Sequence, residues 1–473
     1  MLHPAYYCDL IYRKPKEWPL AYSTLTSCVT GAKFSERRLD VKPAYLIGDT
    51  FVVQSNGSYI AYSPVSGKIA RVSSFPEESS SVFASLQKAG LFGPLLVTTK
   101  RDDVDVWLGF QSLTFLTTRS CNLACIYCYA AAESCGRTMD QKLALKALDW
   151  FVKQLRGKTI RITFHGGGEP TLAYSLIQEV VSAAERLADL NEKKTRFQIV
   201  TNGTADQSVI DWLIGNNFGI SVSADGSPHI QDRNRPFVDG SPSSGVVEWT
   251  ICYLVSLGYP FTVRLTFSPV DNIEEIVRYF GGLRVKSLHL EPLFPHGRNY
   301  GQVAFGEKSD ARVYSPNGNE LAKAFFRAME VARECGIRIN NSHIGHLMKG
   351  TGYFCGSARG RSMVVTDDGF ISGCLEVVDS KDPDFESFRL GHFSVSRGSF
   401  HIDRTALSRF QGRHGSVLPY CRECFARYIC GGGCAVKSVR ASGDFMGRDM
   451  PYCAFTKTLI PIIIERLADL SGI

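Results

Sequence analysis

Short apolar runs separated by turn residues open the readable part of the chain. AYLI, FVVQ, SYIAYS and KIARV predict strands, with Asn56-Gly57 and Ser66-Gly67 as turns between them. PEESSSVFASLQKAGLFG predicts a helix closed by Gly90. Residues 1–108 are therefore expected to form a small separate α+β domain. From 112 to about 293 the pattern changes, and six apolar runs recur: LTFLTT, IRITFHG, FQIVTNG, ISVSADG, FTVRLTFS and VKSLHLEPL. Helical patterns separate most of them. In the first, Leu143, Ala147, Leu148, Phe151, Val152 and Leu155 share one face. VIDWLI and the stretch from Val246 to Leu257 suit later crossovers. Strand–helix alternation at this spacing implies a parallel sheet. Six units predict an open, partial (β/α)6 barrel over 109–300, with ligand groups at the C-terminal ends of its strands. A helical bridge follows over 301–349, with its helix at about 319–335. Residues 350–473 read as loop-rich. So little regular periodicity calls for a staple other than a core, and metal would serve.

Composition adds one informative number. The chain is 44% hydrophobic and 21% charged, which is ordinary for a globular protein. Its net charge of +7 is mild, and reads as a solvated surface rather than a nucleic-acid footprint. No run of about twenty apolar residues predicts a membrane span. LIPIIIERLADL reads as an amphipathic helix, and the start has no signal-peptide architecture, so a cytoplasmic location is expected. In a reducing compartment, fifteen cysteines point to metal ligands or catalytic groups rather than disulfides. Ten fall into spaced clusters; Cys8, Cys28, Cys135, Cys252 and Cys335 are scattered. Cys252 and Cys335, in helical patterns, are expected to be small buried hydrophobes.

The first cluster, Cys121, Cys125 and Cys128, is spaced C-x3-C-x2-C just after the first barrel strand. Three thiolates on a short loop can hold one corner of an iron–sulfur cubane and leave one iron open. The next strand ends in FHGGGEP, residues 164–170. Glycines there permit close backbone approach, and Glu169 can accept from an ammonium group. The same string also reads as a tight strand–helix turn with Pro170 starting a helix.

CNLACIYCY followed by GGGEP resembles the radical S-adenosylmethionine (SAM) superfamily. The resemblance implies a 4Fe-4S cluster on Cys121, Cys125 and Cys128, with SAM chelating its open iron. It implies that the glycine-rich strand end, Gly167, Gly168 and Glu169, holds the methionine amino group, and that Tyr129 packs near the adenine. The family often ends its fourth strand in Ser-x-Asp-Gly near the SAM carboxylate, which makes Ser223 a candidate; Asn202, in TNG, could line the pocket. A structural turn role suits both equally. Arg264 could pair with a ligand carboxylate or with a barrel glutamate such as Glu291. A reduced cluster of this kind cleaves SAM to a 5′-deoxyadenosyl radical, with an electron donor such as flavodoxin or ferredoxin as partner.

The C-terminal segment carries Cys355, Gly369 and Cys374, then Cys421, Cys424, Cys430 and Cys434 spaced C-x2-C-x5-C-x3-C, then Cys453. This is similar to the SPASM domain of radical SAM peptide and protein maturases. C-x2-C pairs also suit structural zinc. The family pattern implies two auxiliary 4Fe-4S clusters, so three in all. Cys355, Cys374 and Cys434 would hold the inner one; Cys421, Cys424, Cys430 and Cys453 the outer. Many relatives have another cysteine shortly after the first, but CGSARGRSMVV has none. That leaves an open iron or a non-cysteine ligand. An open iron could bind a substrate thiolate, which favours a thioether crosslink. Sulfatase-maturing relatives place a catalytic aspartate directly after the second of these cysteines; here Leu375 stands there, and the nearest carboxylate is Glu376, a base or an exposed strand residue.

The layout of residues 1–108 resembles peptide-recognition domains that bind a leader peptide as an added strand. A lid or scaffold is the equal alternative. Arg13, Lys14, Lys16, Lys33, Arg37 and Arg38 would favour an acidic leader. The expected function is radical modification of a peptide or protein, with thioether formation first. Carbon–carbon or carbon–oxygen crosslinking and side-chain oxidation come next. The rival from another class is a non-catalytic, zinc-stabilised peptide-binding adaptor.

Overall fold

The computed structural model describes residues 44–47, 50–64, 66–91, 109–267, 272–293, 317–341, 352–394 and 397–470. The six basic residues expected to favour an acidic leader, Cys8, Cys28, the boundary at 108 and much of the 301–349 bridge lie outside the described residues.

Strands β1 (Ala44–Ile47), β2 (Thr50–Ser55), β3 (Ser58–Tyr62) and β4 (Ile69–Val72) form an antiparallel meander. Asn56 and Gly57 both take positive φ, 45° and 76°, as a two-residue hairpin turn requires. Helix α1 (Ser81–Lys88) starts where the Ser80 side chain accepts from Phe83 N. It covers one face of the sheet, where Val52 and Ala61 pack with Leu86 and Leu91. The other face, Phe51, Val53, Ile60 and Tyr62, joins the main core of the molecule.

Strands β5 (Ser112–Leu116), β6 (Thr159–His165), β7 (Lys194–Thr201), β8 (Gly219–Ser223), β9 (Phe261–Phe267) and β10 (Ser287–Pro292) pair in chain order and all in parallel. They are the six runs read from the sequence. Between them lie α2 (Gln141–Gln154), α3 (Tyr174–Leu190), α4 (Gln207–Gly215), α5 (Pro228–Asn234), α6 (Ser244–Ser256) and α7 (Ile273–Gly282). Asp140 caps α2 by accepting from Leu143 N, and Ala144, Ala147, Leu148, Phe151 and Val152 are its buried face. The protein is thus α/β, with a mostly parallel, open sheet. The strands alternate. Ile160, Ile162 and Phe164 of β6, and Val263, Leu265 and Phe267 of β9, are buried, while Arg161, Thr163, His165, Thr262, Arg264 and Thr266 keep part of their surface. One side of the sheet is core; the other is a polar concave face.

The sheet does not stop at six strands. β11 (Arg338–Asn340) extends it beyond β10, after α8 (Gly318–Glu334). On the other edge β12 (Ser362–Val365) pairs in parallel with β5, followed by antiparallel β13 (Phe370–Ser372), β14 (Arg389–Ser394) and β15 (Ser399–Ile402). The C-terminal segment, read from the sequence as loop-rich, therefore adds Val365, Ile371, Phe388 and Leu390 to the main core. It ends in α9 (Arg404–Gly412), α10 (Ala435–Ser442) and α11 (Met450–Leu470). Helix α11 packs on α8, where a Cβ at Gly318 would lie 2.1 Å from Pro451 O. It also grips the small sheet, through Arg71 to Asp469 at 2.7 Å and through Ser55, which donates to Glu465. No helix among the described residues is long and apolar enough to cross a membrane.

Cys252 corrects an expectation: on α6 it faces solvent, while Cys335 is half-buried at the end of α8. Phe51 meets Phe425 edge-on, with ring centroids 5.5 Å apart. Phe51→Ala should lower stability by about 3–5 kcal/mol and open residues 44–91 to limited proteolysis; a urea melt that matches the parent would contradict this docking.

Candidate active site

The loop leaving β5 carries Cys121, Cys125 and Cys128. Its backbone is pinned internally, Cys121 N to Glu133 O at 2.8 Å, and externally, Ala124 N to Pro236 O at 2.8 Å and Ile126 N to Asn234 O at 2.9 Å. Burial pushes the Cys121 thiol up to about 11 and Cys125 to about 12. The Cys128 charge adds to the shift of both. Their other partners are weak: Leu123 N at 3.5 Å and Asn202 Nδ2 at 3.9 Å from Cys121 Sγ, and Arg235 Nη1 at 3.9 Å from Cys125 Sγ.

The glycines of FHGGGEP make room for this loop. A Cβ at Gly168 would lie 2.0 Å from Ser120 O, and one at Gly167 3.0 Å from Thr118 O. Gly167 also has φ +103°. The close approach expected for a ligand is made first by the chain itself. Glu169 N donates to Ser120 O at 2.8 Å. The Glu169 side chain is 2% exposed. Its Oε1 accepts from Thr171 N (3.1 Å), Thr171 Oγ1 (2.7 Å) and Thr201 Oγ1 (2.7 Å), and its Oε2 from Asn202 N (2.6 Å). Burial raises its pKa against these hydrogen bonds. Glu169 is thus the cap of the Pro170–Ala173 turn, and Oε2 still has a lone pair to offer an ammonium group. Asn202 braces the loop, with Nδ2 donating to Asn122 Oδ1 at 2.8 Å and Oδ1 accepting from Thr204 N at 3.0 Å. Ser223 ends β8 in register with Arg264. Tyr129 packs with Cys128 and Leu375 on a small core shared with Val364 and Val378. It stands between the first cysteines and the C-terminal ones. Burial raises its hydroxyl pKa, and the charges of Glu376, Cys128 and Cys374 add to this.

Three residues escaped the sequence reading. Asp225, fully buried, pairs with Arg235 (Oδ2 to Nε 3.0 Å; Nη2 to Oδ1 3.2 Å) and accepts from the Tyr127 hydroxyl and from Thr266 N at 3.2 Å. The Arg235 guanidinium lies 5.2 Å from the Tyr127 ring centre. Burial acts to lower its pKa, but the charges of Asp225, Tyr127 and Cys125 and the Asp225 hydrogen bond together outweigh it. Asp225 stood in the quoted Ser-Ala-Asp-Gly; Arg235 gave no signal beyond lying ten residues on.

On the concave face, Glu291 accepts from Lys437 Nζ of α10 at 2.8 Å, with His289 Nε2 at 3.7 Å. Lys437, not Arg264, is therefore the hydrogen-bonded partner of Glu291; among the described residues the Arg264 guanidinium makes no ion pair or hydrogen bond, though the Glu291 charge still acts on it. Glu291 keeps 40% of its side-chain surface although strands and α10 enclose it, so it faces an open lumen. Burial, then the Arg264 charge, pushes His165 down to about 3. Its Nδ1 accepts from Gly166 N at 2.7 Å, which places the ring proton on Nε2.

The remaining seven cysteines fall into two sets. Cys355, Cys374 and Cys434 act on one another: burial raises all three, Cys434 to about 12, and Cys355 adds to the shifts of the other two. Glu376 lies in the turn after β13, half-buried, where Arg440 Nη1 donates to its Oε2 at 2.9 Å; it is not an exposed strand residue. Cys421, Cys424, Cys430 and Cys453 line one cavity with Tyr420, Arg448 and Lys457. Arg448 Nε donates to Cys453 Sγ at 3.3 Å. Cys430 and Cys434 go to different sets because Gly431, Gly432 and Gly433, at φ +61°, +84° and +78°, reverse the chain between them. Arg413, fully buried, holds that turn by donating to Gly432 O at 3.1 Å, Ser438 Oγ at 2.7 Å and Phe445 O at 2.8 Å. Three sets of neighbouring thiols, most of them partly or fully buried and Cys355 exposed, offer the donor chemistry of iron–sulfur ligands, and metal binding would take their protons. Among the described residues, no three such side chains converge on one point as ligands of a single ion; the outer four surround a cavity instead.

Residues 115–280 match the radical SAM superfamily. A serine-type anaerobic sulfatase-maturating enzyme of Bacteroides thetaiotaomicron is 23% identical over 354 residues, 68% of this chain and 82% of that protein. An uncharacterized protein of Methanocaldococcus jannaschii is 30% identical over 195 residues, 41% of this chain but 66% of its own length, just under two thirds. Among solved structures, anSMEcpe with bound AdoMet superposes with a TM-score of 0.60 at 20% identity, over 77% of this chain and 95% of that one. Streptococcus suis SuiB bound to precursor peptide SuiA gives 0.52 at 14%, over 86% and 99%. Both share the fold. Residues 115–280 thus form a radical SAM domain, and the protein is an enzyme.

Gly168→Ala forces a methyl group onto the Ser120 carbonyl, so anaerobically reconstituted variant should lose about four irons per chain relative to the parent, read by iron analysis. His165 gives a pH prediction. Its folded pKa of about 3 lies below the ~6.5 of an unfolded imidazole, so the unfolded chain binds the extra proton between them, and stability falls as pH drops below about 6.5. His165→Gln should flatten that fall by about one proton in urea melts between pH ~4 and ~6.5; an unchanged slope would count against it.

Proposed function

We propose that this enzyme modifies a peptide or protein on its concave face. Cys121, Cys125 and Cys128 would hold a 4Fe-4S cluster with SAM; Cys355, Cys374 and Cys434 an inner auxiliary cluster; and Cys421, Cys424, Cys430 and Cys453 an outer one. One observation carries the reading: Tyr129 packs in one small core with Cys128 and with Leu375, the neighbour of Cys374, which supports two cluster sites on adjoining parts of the fold. When bound, the reduced cluster and SAM supply a carbon-centred radical able to take hydrogen from an unactivated C–H bond. The chain's own part is placement. Glu169 Oε2 receives an ammonium group, Ser223 and Arg264 stand in register for a carboxylate, and the Asp225–Arg235 pair fixes the loop behind Cys125.

A peptide substrate fits both relatives: SuiB is solved with a precursor peptide, and anSMEcpe with AdoMet and the Cp18Cys peptide. We assign residues 1–108 to peptide recognition, 109–300 to the radical barrel, 301–349 to a bridge and 350–473 to the auxiliary clusters. Among the described residues β1 and β4 are the edges of the four-stranded sheet, and an edge strand suits strand addition by a leader. The finer reading is a thioether crosslink. It is supported by an inner set of three cysteines, which leaves one ligand position for another group. Flavodoxin or ferredoxin would supply electrons.

Anaerobically purified protein should be brown and carry about twelve irons. With SAM and reductant it should form 5′-deoxyadenosine, and Cys125→Ala should abolish that product. A candidate peptide should lose two hydrogens by mass spectrometry on crosslinking. Colourless protein with stoichiometric zinc and no 5′-deoxyadenosine would establish the adaptor instead.

A further inference from the structure

Four irons of a cubane each take one protein ligand, and the inner set supplies three thiols. The fold brings one further anionic side chain to this set. Glu376 follows Cys374 by two residues, and its backbone N donates to Cys374 Sγ at 3.5 Å. Helix α10 begins at Cys434 and carries Lys437 and Arg440, three and six residues on, toward the same side. Arg440 Nη1 donates to Glu376 Oε2 at 2.9 Å, and its Nε donates to Asp384 Oδ2 at 2.8 Å. The carboxylate is therefore drawn to the helix that starts at Cys434, by an arginine that is itself anchored. Glu376 Oε1 accepts no hydrogen bond from a described residue, and the side chain keeps 26% of its surface. The nearby cation Lys437 is bonded to Glu291, and a cation cannot ligate iron.

We propose that Glu376, through Oε1, is the fourth protein ligand of the inner cluster, an inference that rests on the reading of Cys355, Cys374 and Cys434 as its other three. A carboxylate is a harder ligand than a thiolate, so the position is filled in the resting enzyme yet open to a softer group. Arg440 holds the other oxygen and orients the carboxylate. This role replaces that of general base for Glu376.

The test uses full-length protein with Cys121, Cys125 and Cys128 changed to Ala, so that only the auxiliary sites load. This parent should carry about eight irons and show no three-iron EPR signal after mild ferricyanide oxidation. In that background Glu376→Gln, of the same shape and still able to meet Arg440, should lose about one iron per chain and display the three-iron signal. Glu376→Cys should restore the parent iron content. Glu376→Gln with iron content and EPR identical to the parent overturns the assignment. Cys374→Ala separates the two readings. If it too leaves iron and EPR unchanged, there is no inner cluster; if it removes about four irons while Glu376→Gln removes none, only the carboxylate ligand fails.

Discussion

At residue 168 one backbone lies directly on another, and the site is arranged around that contact. The Ser120 carbonyl occupies the space where any side chain at 168 would be. The cysteine loop is thereby laid against the end of β6, and a chain of hydrogen bonds runs on from there. Ser120 O takes Glu169 N, Glu169 takes Thr201 and Asn202, and Asn202 returns to Asn122 within the cysteine loop. Asp225 closes the far side through Tyr127 and Arg235. Four strand ends are tied into one network before any ligand arrives, which is the preorganisation a reactive intermediate demands.

Much of this was legible in the sequence, for physical reasons that differ by element. The six barrel runs and the buried face of α2 were readable because periodicity reports burial directly. The first thiol triplet was readable because its three cysteines are local, whereas the division of the other seven came from the resemblance, since Cys355 and Cys434 lie far apart in the sequence. The polar alternation of β6 and β9 was not: parallel strands commonly bury both faces, and here one face lines a lumen. Nor were β12 to β15, because strands of three to six residues at a sheet edge leave too few positions to show a period. The Asp225–Arg235 pair and the choice of Lys437 for Glu291 depend on tertiary placement alone. Cys252 shows the limit of helical pattern in a helix with only a weak apolar bias to one side; it landed on the wet side of α6.

Charge does in the C-terminal segment part of what apolar packing does in the barrel. Arg413 has almost no contact with water, yet its donors reach carbonyls within the glycine turn and beyond it and a serine hydroxyl. A buried guanidinium is tolerable only when so engaged. It fixes the reversal that sends Cys430 and Cys434 to different sets. Arg440 does similar work between Glu376 and Asp384, and Arg119 ties the cysteine loop to Asp379.

The pairing of β5 with β12 carries a mechanical consequence. Met363 to Val365 run in register with Leu113 to Phe115, so the strand that launches the cysteine loop and the strand that opens the C-terminal segment belong to one continuous ribbon. Prising them apart would break a ladder in the middle of eleven strands. The two halves cannot swing like jaws around a guest. Whatever approaches the polar face meets walls that keep their spacing throughout.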